Sequence, residues 1–187
     1  MRFTKWDNAV QNPPVSNTAN LFAQAASAGR GKLSDTELQS LLADLQIGFA
    51  DRAVPADAVD IRISLNSTRE FGMVISAGLG GLEAELGEGN FRRDRASVYA
   101  AAELTDAEDF LGLFRRTLAY QKLVAVARRN GSQPPDVPLK ACFERLLELT
   151  KAFAPGKADA PCVLRSLELN PAQVGEDVMV RATQRLQ

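Results

Sequence analysis

Two stretches of the chain hold groups whose type and spacing suit chemistry. In Leu167-Glu168-Leu169-Asn170, alternation along a strand turns Glu168 and Asn170 to the same side. There they present a carboxylate and an amide oxygen, the hard oxygen ligands that Mg²⁺ prefers. In Gly78-Leu79-Gly80-Gly81, the three glycines allow close approach of a ligand, and their backbone N–H groups can be offered to a phosphate. Each stretch also has a plain structural reading: a tight turn after a buried strand for the glycines, and the wet face of an edge strand for Glu168 and Asn170. Arg92, Arg93 and Arg95, with Arg115, Arg116, Arg128 and Arg129, can form an anion site. A solvated face is the simpler reading, because many acids accompany them.

What is missing narrows the chemistry further. The 187 residues include no histidine, which excludes Ser-His-Asp and Cys-His catalysis, histidine-ligated zinc and a phosphohistidine carried by this chain. Cys142 and Cys162 form no CxxC unit and read as buried reduced thiols. With 22 basic against 23 acidic residues, no global field attracts nucleic acid, which is not expected as a partner. No apolar run approaches the roughly 18 residues that span a bilayer, and the first residues lack the apolar core of a secretion signal. No membrane association and a cytoplasmic location are the expectations.

Periodicity supplies the elements that must position these groups. Residues 1–17, with Asn12-Pro13-Pro14, read as an extended arm, and 18–58 as a helical segment. Its first helix runs from Thr18 to Ala28, closed by Gly29. Its second opens at the capping box Ser34-Asp35-Thr36-Glu37, buries Leu38, Leu41, Leu42 and Leu45, and is closed by Gly48. From Val59 the period falls to two: Val59, Ile61, Ile63 and Leu65 alternate with Asp60, Arg62, Ser64 and Asn66. Phe71–Ala77, apolar on both faces, suits a central strand. Arg95–Ala101 reads as a further strand. A long helix is expected from the box Thr105-Asp106-Ala107-Glu108 to about Asn130, and another from Asp136 to Phe153. Strands at Cys162–Asn170 and Asp177–Thr183 finish an α+β domain, 59–187, with a mainly antiparallel sheet and packed helices.

Three pieces of this sequence resemble the ATP-grasp domain of NDP-forming acyl-CoA synthetases, the acetate-CoA ligase and succinyl-CoA synthetase β-subunit relatives. Arg69-Glu70-Phe71-Gly72 through Gly81 to Glu85 is similar to the family's Phe-Gly, strand, Gly-Leu-Gly-Gly and following glutamate. Leu167-Glu168-Leu169-Asn170-Pro171 resembles its acidic-x-Asn-Pro strand end, and Gly29–Gly48 its opening helix. The resemblance implies a fold like the family's C-terminal subdomain, ATP and Mg²⁺ as cofactors, and ligation of an acid to coenzyme A. It implies Gly78, Gly80, Gly81 and Glu85 as cofactor-binding residues and Glu168 and Asn170 as metal ligands.

Two departures limit what carries over. About ten residues separate Gly48 from Val59, where the family places a nucleotide-binding subdomain and its phosphate-contacting lysine, and no lysine lies between Lys32 and Lys122. The position matching the family's second metal-binding aspartate is Arg181. A turn centred on Val174-Gly175 would set Glu168 opposite Arg181 and Asn170 opposite Met179, with Arg181 neutralising Glu168. The expectation is therefore an incomplete domain, inactive alone, that docks on a coenzyme A-binding synthetase subunit or on a second copy of itself. The alternatives are an active ligase subunit completed by such a partner, which must also supply the histidine, and a non-catalytic α+β interaction module.

Overall fold

The computed structural model describes residues 15–50, 58–81, 84, 93–155, 163–174 and 178–181; the side chains of residues 15, 16, 49, 50, 93, 94 and 181 are outside this description. The expected arm lies mostly outside it, but helix α1 (Val15–Ser27) starts earlier than Thr18, directly after Pro13-Pro14. Gly29, at φ +67°, ends α1 as expected.

Helix α2 (Asp35–Asp44) has the full capping box: Ser34 N–H donates to Glu37 at 2.7 Å and the Ser34 hydroxyl accepts from Glu37 N–H. Its end is not Gly48. Gln46 takes the left-handed turn at φ 50°, and its carbonyl accepts from Arg145 at 3.3 Å, so a distant guanidinium holds the conformation that glycine would otherwise favour. Gly48 instead opens strand β1 (Gly48–Ala50).

The remaining strands are β2 (Ile61–Thr68), β3 (Gly72–Leu79), β4 (Ser97–Ala101), β5 (Ser166–Val174) and β6 (Val178–Arg181). They form one sheet in the order β1-β6-β5-β2-β3-β4, antiparallel except where β1 runs parallel to β6. Phe71 lies in the β2–β3 turn and is exposed, and within β3 Met73, Ile75 and Ala77 are buried while Val74 and Ser76 are half-buried, so one face only packs in the core. The four-residue helix α3 (Arg93–Ala96) shortens the strand expected at Arg95–Ala101.

The long helix expected after Thr105 is two helices, α4 (Ala107–Phe114) and α5 (Leu118–Arg129). The N-cap of α4 is Asp106, accepting from Asp109 N–H at 2.8 Å, rather than Thr105. Buried Thr117 makes the break, its hydroxyl donating to the Phe114 carbonyl at 2.7 Å and accepting from Tyr120 N–H at 3.2 Å. Helix α6 (Asp136–Phe153) follows as expected.

The core lies on one face of the sheet. Ile61, Ile63, Leu65, Met73, Ile75, Leu167 and Leu169 share one buried cluster with Leu41, Leu42, Phe110, Phe114, Phe143 and Phe153 from the helices. Phe110, Phe114 and Phe143 meet edge to face. The architecture is α+β, with a mainly antiparallel sheet and packed helices.

Candidate functional site on the open face of the sheet

The opposite sheet face is polar because the residues alternate. Glu168 pairs with Ser64, Ser64 with Ser76, and Ser76 with Tyr99, giving one row across β5, β2, β3 and β4. Ser64 and Ser76 share a hydrogen bond of 2.7 Å, and Asn66 donates to Ser64 at 3.0 Å.

The register between β2 and β5 shifts between Ile61 and Ile63, so Asn170 and Pro171 together lie across from Arg62. Such an irregularity is where a strand accepts proline. It also flips the alternation. Ala172 returns to the core opposite Ile61, and Gln173, like Glu168 and Asn170, turns to the open face.

This places six residues together at the end of β3. The Gly80 N–H donates to the Asp60 carbonyl at 2.9 Å. Gly81 N–H donates to Asn170 Oδ1 at 3.0 Å, and Asn170 Nδ2 donates to Glu168 Oε1 at 3.2 Å. Gln173 Nε2 donates to Asp60 Oδ1 at 2.8 Å. Space demands glycine at 78 and 80, and a left-handed φ of +55° favours it at 81. A Cβ on Gly80 would lie 2.4 Å from the Ile61 backbone, one on Gly78 2.5 Å from the Ala96 carbonyl oxygen, and one on Gly81 2.7 Å from Asp60 Oδ2.

Gly80, Gly81, Glu168 and Asn170 are thus brought into one network. Gly78 sits within β3, between Arg62 and Ser97, and Glu85 lies outside the described residues. Sequence reasoning treated Asp60 and Arg62 only as a wet strand face and left out Gln173. The alternation from Asp60 to Asn66 was the available signal for the first two, whereas Gln173 reaches this face only through the irregularity at Pro171.

The expected Glu168–Arg181 pairing does not occur. Gln173, not Asn170, is opposite Met179, and Val174 is opposite Val178, so the β5–β6 register is three residues from that expected. The loop joining the strands is longer than a two-residue turn, and Arg181 pairs instead with Ala50 of β1. On this face Arg62 is the nearby cation, diagonal to Glu168, and neither has an ionic partner among the described residues.

Elsewhere several charges are tied into structure. Arg115 Nη2 meets Asp136 Oδ2 at 2.8 Å, Tyr120 donates to Asp136 Oδ1 at 2.6 Å, and Lys140 meets Glu108 at 2.8 Å. Burial pushes the Asp136 carboxyl up, but the Tyr120 hydroxyl and Arg115 outweigh it and hold it below the ordinary range. Arg115 therefore braces three helices instead of forming an anion site. Among the described residues no helix is long and apolar enough to cross a membrane.

This architecture is shared with acetyl-CoA synthetase chains of known structure. The dinucleotide-forming acetyl-coenzyme A synthetase 1 of Ca. Korarchaeum cryptofilum, in its apo form, matches 91% of this chain over 100% of its own, at TM-score 0.66 and 17% identity. The same enzyme in complex with coenzyme A and Mg-AMPPCP matches 91% of this chain over 100% of its own, at TM-score 0.65 and 16% identity. A Pyrococcus horikoshii protein matches 92% of this chain over 95% of its own, at TM-score 0.62 and 12% identity. At such identities the likeness is one of fold. No protein-family model matches the chain, and no curated protein sequence does.

Proposed function

We propose that this chain is an ATP-grasp-like domain of the kind used by β-subunits of NDP-forming acyl-CoA synthetases, reduced in its nucleotide machinery and inactive alone. The observation that carries the proposal is that the groups suited to hold a Mg-nucleotide are spent within the protein. The N–H groups of Gly80 and Gly81 are donated to Asp60 and Asn170, and the Asn170 amide turns its N–H toward Glu168. The carboxylates beside them are Glu168, which accepts from Asn170, and Asp60, which accepts from Gln173, and the described residues contain no group of three or more acidic, histidine or cysteine side chains placed to hold a metal. No lysine lies between Lys32 and Lys122 to meet phosphates. This donor set does not fit Mg²⁺ with a nucleotide, since Mg²⁺ needs near-ideal octahedral oxygen coordination. The role left to the domain is to dock on a coenzyme A-binding synthetase subunit. Calorimetric titration of the chain alone with ATP and Mg²⁺ is expected to give only heats of dilution up to about 1 mM. Mg²⁺-dependent ATP binding of micromolar affinity would overturn the proposal.

A second reading is favoured by the open polar face, where Glu168 and Arg62 have no ionic partner among the described residues. In it, a coenzyme A-binding partner completes the site and supplies the phosphorylatable histidine. ATP hydrolysis that depends on acid and coenzyme A, and on both chains together, would establish that reading.

A further inference from the structure

Strand β4 ends the sheet, and nothing among the described residues pairs with its outer edge. Natural sheets usually protect such an edge with lysine, proline or a bulge. Ser97-Val98-Tyr99-Ala100-Ala101 has none of these, and Tyr99 is 65% exposed. We infer that two copies of this chain associate through β4, antiparallel about a twofold axis at Tyr99, to make one continuous sheet.

The backbone directions fit this pairing. Ala102 N–H donates to the Met73 carbonyl at 2.7 Å, so Ala102, and by alternation Ala100 and Val98, turn their backbone groups toward β3. Ser97, Tyr99 and Ala101 therefore turn theirs to the open edge. With Tyr99 opposite Tyr99 of the second copy, Ser97 falls opposite Ala101, so every outward-facing residue meets another. The Ala101 carbonyl already accepts from Leu104 N–H at 3.0 Å. The two Tyr99 residues exchange two hydrogen bonds, and each Ala101 N–H donates to the other copy's Ser97 carbonyl, giving four in all.

The charges select the same arrangement. Arg95 precedes the strand and Glu103 follows it. Both are exposed, and neither has an ionic partner among the described residues. Antiparallel pairing sets the helical turn that carries Arg95 beside the turn after β4 that carries Glu103 of the second copy, twice by symmetry, whereas parallel pairing would set like charges together. An interface whose residues answer one another in this way closes as a dimer and does not propagate.

Sedimentation equilibrium and size-exclusion light scattering test this. The parent chain is expected at twice its 20.2 kDa mass. Glu103→Arg should weaken association by about tenfold or more. Adding Arg95→Glu to it should restore association, a recovery that lost folding cannot mimic. Tyr99→Cys should give a covalent dimer on oxidation, because paired Cα atoms about 5.5 Å apart suit a disulfide. A parent chain that stays monomeric at about 100 µM, a dimer indifferent to Glu103→Arg, or no rescue by the double exchange would each overturn the inference.

Discussion

The Gly81 N–H donates to Asn170 Oδ1 at 3.0 Å, joining the glycine loop to a strand 89 residues away in the sequence. The same amide donates onward to Glu168, so one side chain fixes both the loop and the carboxylate. Asn170→Ala is expected to lower stability by about 1–3 kcal/mol, because it strands a half-buried donor. Asn170→Asp keeps an acceptor for Gly81 but sets a second carboxylate beside Glu168. Its stability should therefore also fall below the parent's at neutral pH. Urea midpoints are the measurement, and an Asn170→Ala midpoint equal to the parent's would show that the bond contributes nothing.

Gly80 and Gly29 should respond differently to alanine. Gly29 sits at φ +67° with nothing within 4 Å of an added Cβ, so its cost is the left-handed backbone alone, about 1–2 kcal/mol. At Gly80 the added carbon would lie 2.4 Å from the backbone of β2, and rigid strands must separate. Gly80→Ala should be the more destabilising of the two in thermal melts. Equal losses would mean that the loop moves away freely.

Acid should loosen the α1–α2 corner. Arg30, then the Ser34 N–H and hydroxyl, hold the Glu37 carboxyl at about 2 against an ordinary 4.5. A carboxyl depressed in the folded state stabilises fully above its unfolded value, and that contribution is lost as pH falls from 4.5 toward about 2. Glu37→Gln should therefore flatten the pH dependence of unfolding in that window. A profile unchanged by the substitution would remove Glu37 as its source.

How much of this could be read in advance follows from the range of each interaction. The capping box of α2 is complete within Ser34–Glu37, so local residues suffice to predict it. The alternation of Val59–Asn66 likewise identified the core and open faces of β2. Register in β5–β6 was misread because loop length, not residue pattern, sets it there. The Gly81–Asn170 bond was invisible because it joins two segments that each looked like an independent ligand site. Once in contact, they satisfy each other instead of a phosphate or a metal. Arg145 capping the end of α2 is the same kind of case, a helix end completed by a residue 99 positions away.

Cys142 offers a probe of the core. It is 1% exposed, and burial lifts its thiol to about 12, so almost no thiolate exists at neutral pH. In a Cys162→Ser background, a thiol reagent at about pH 8 should label Cys142 only through unfolding. The labelling rate should rise with urea in step with the unfolded fraction. Rapid labelling in native buffer would show that α6 opens locally.

The break between α4 and α5 rests on one hydroxyl. Thr117 is fully buried, and its oxygen both donates to Phe114 and caps the Tyr120 N–H. An unbroken helix would continue the Phe110–Phe114 stripe straight on. The turn at 115–117 instead redirects α5 and brings Tyr120 against Phe114 at 6.1 Å and its hydroxyl onto Asp136. Thr117→Ala is expected to cost about 1–2 kcal/mol, the loss of a strong N-cap. Thr117→Ser keeps the hydroxyl and loses only a methyl, so it should recover most of that loss. Tyr120→Phe removes the contact to Asp136 without touching the cap. If the cap orients the helix that carries Tyr120, the losses from Thr117→Ala and Tyr120→Phe should fail to add in a double-mutant cycle. Strict additivity would instead mean that the break and the Tyr120–Asp136 contact hold the helices independently.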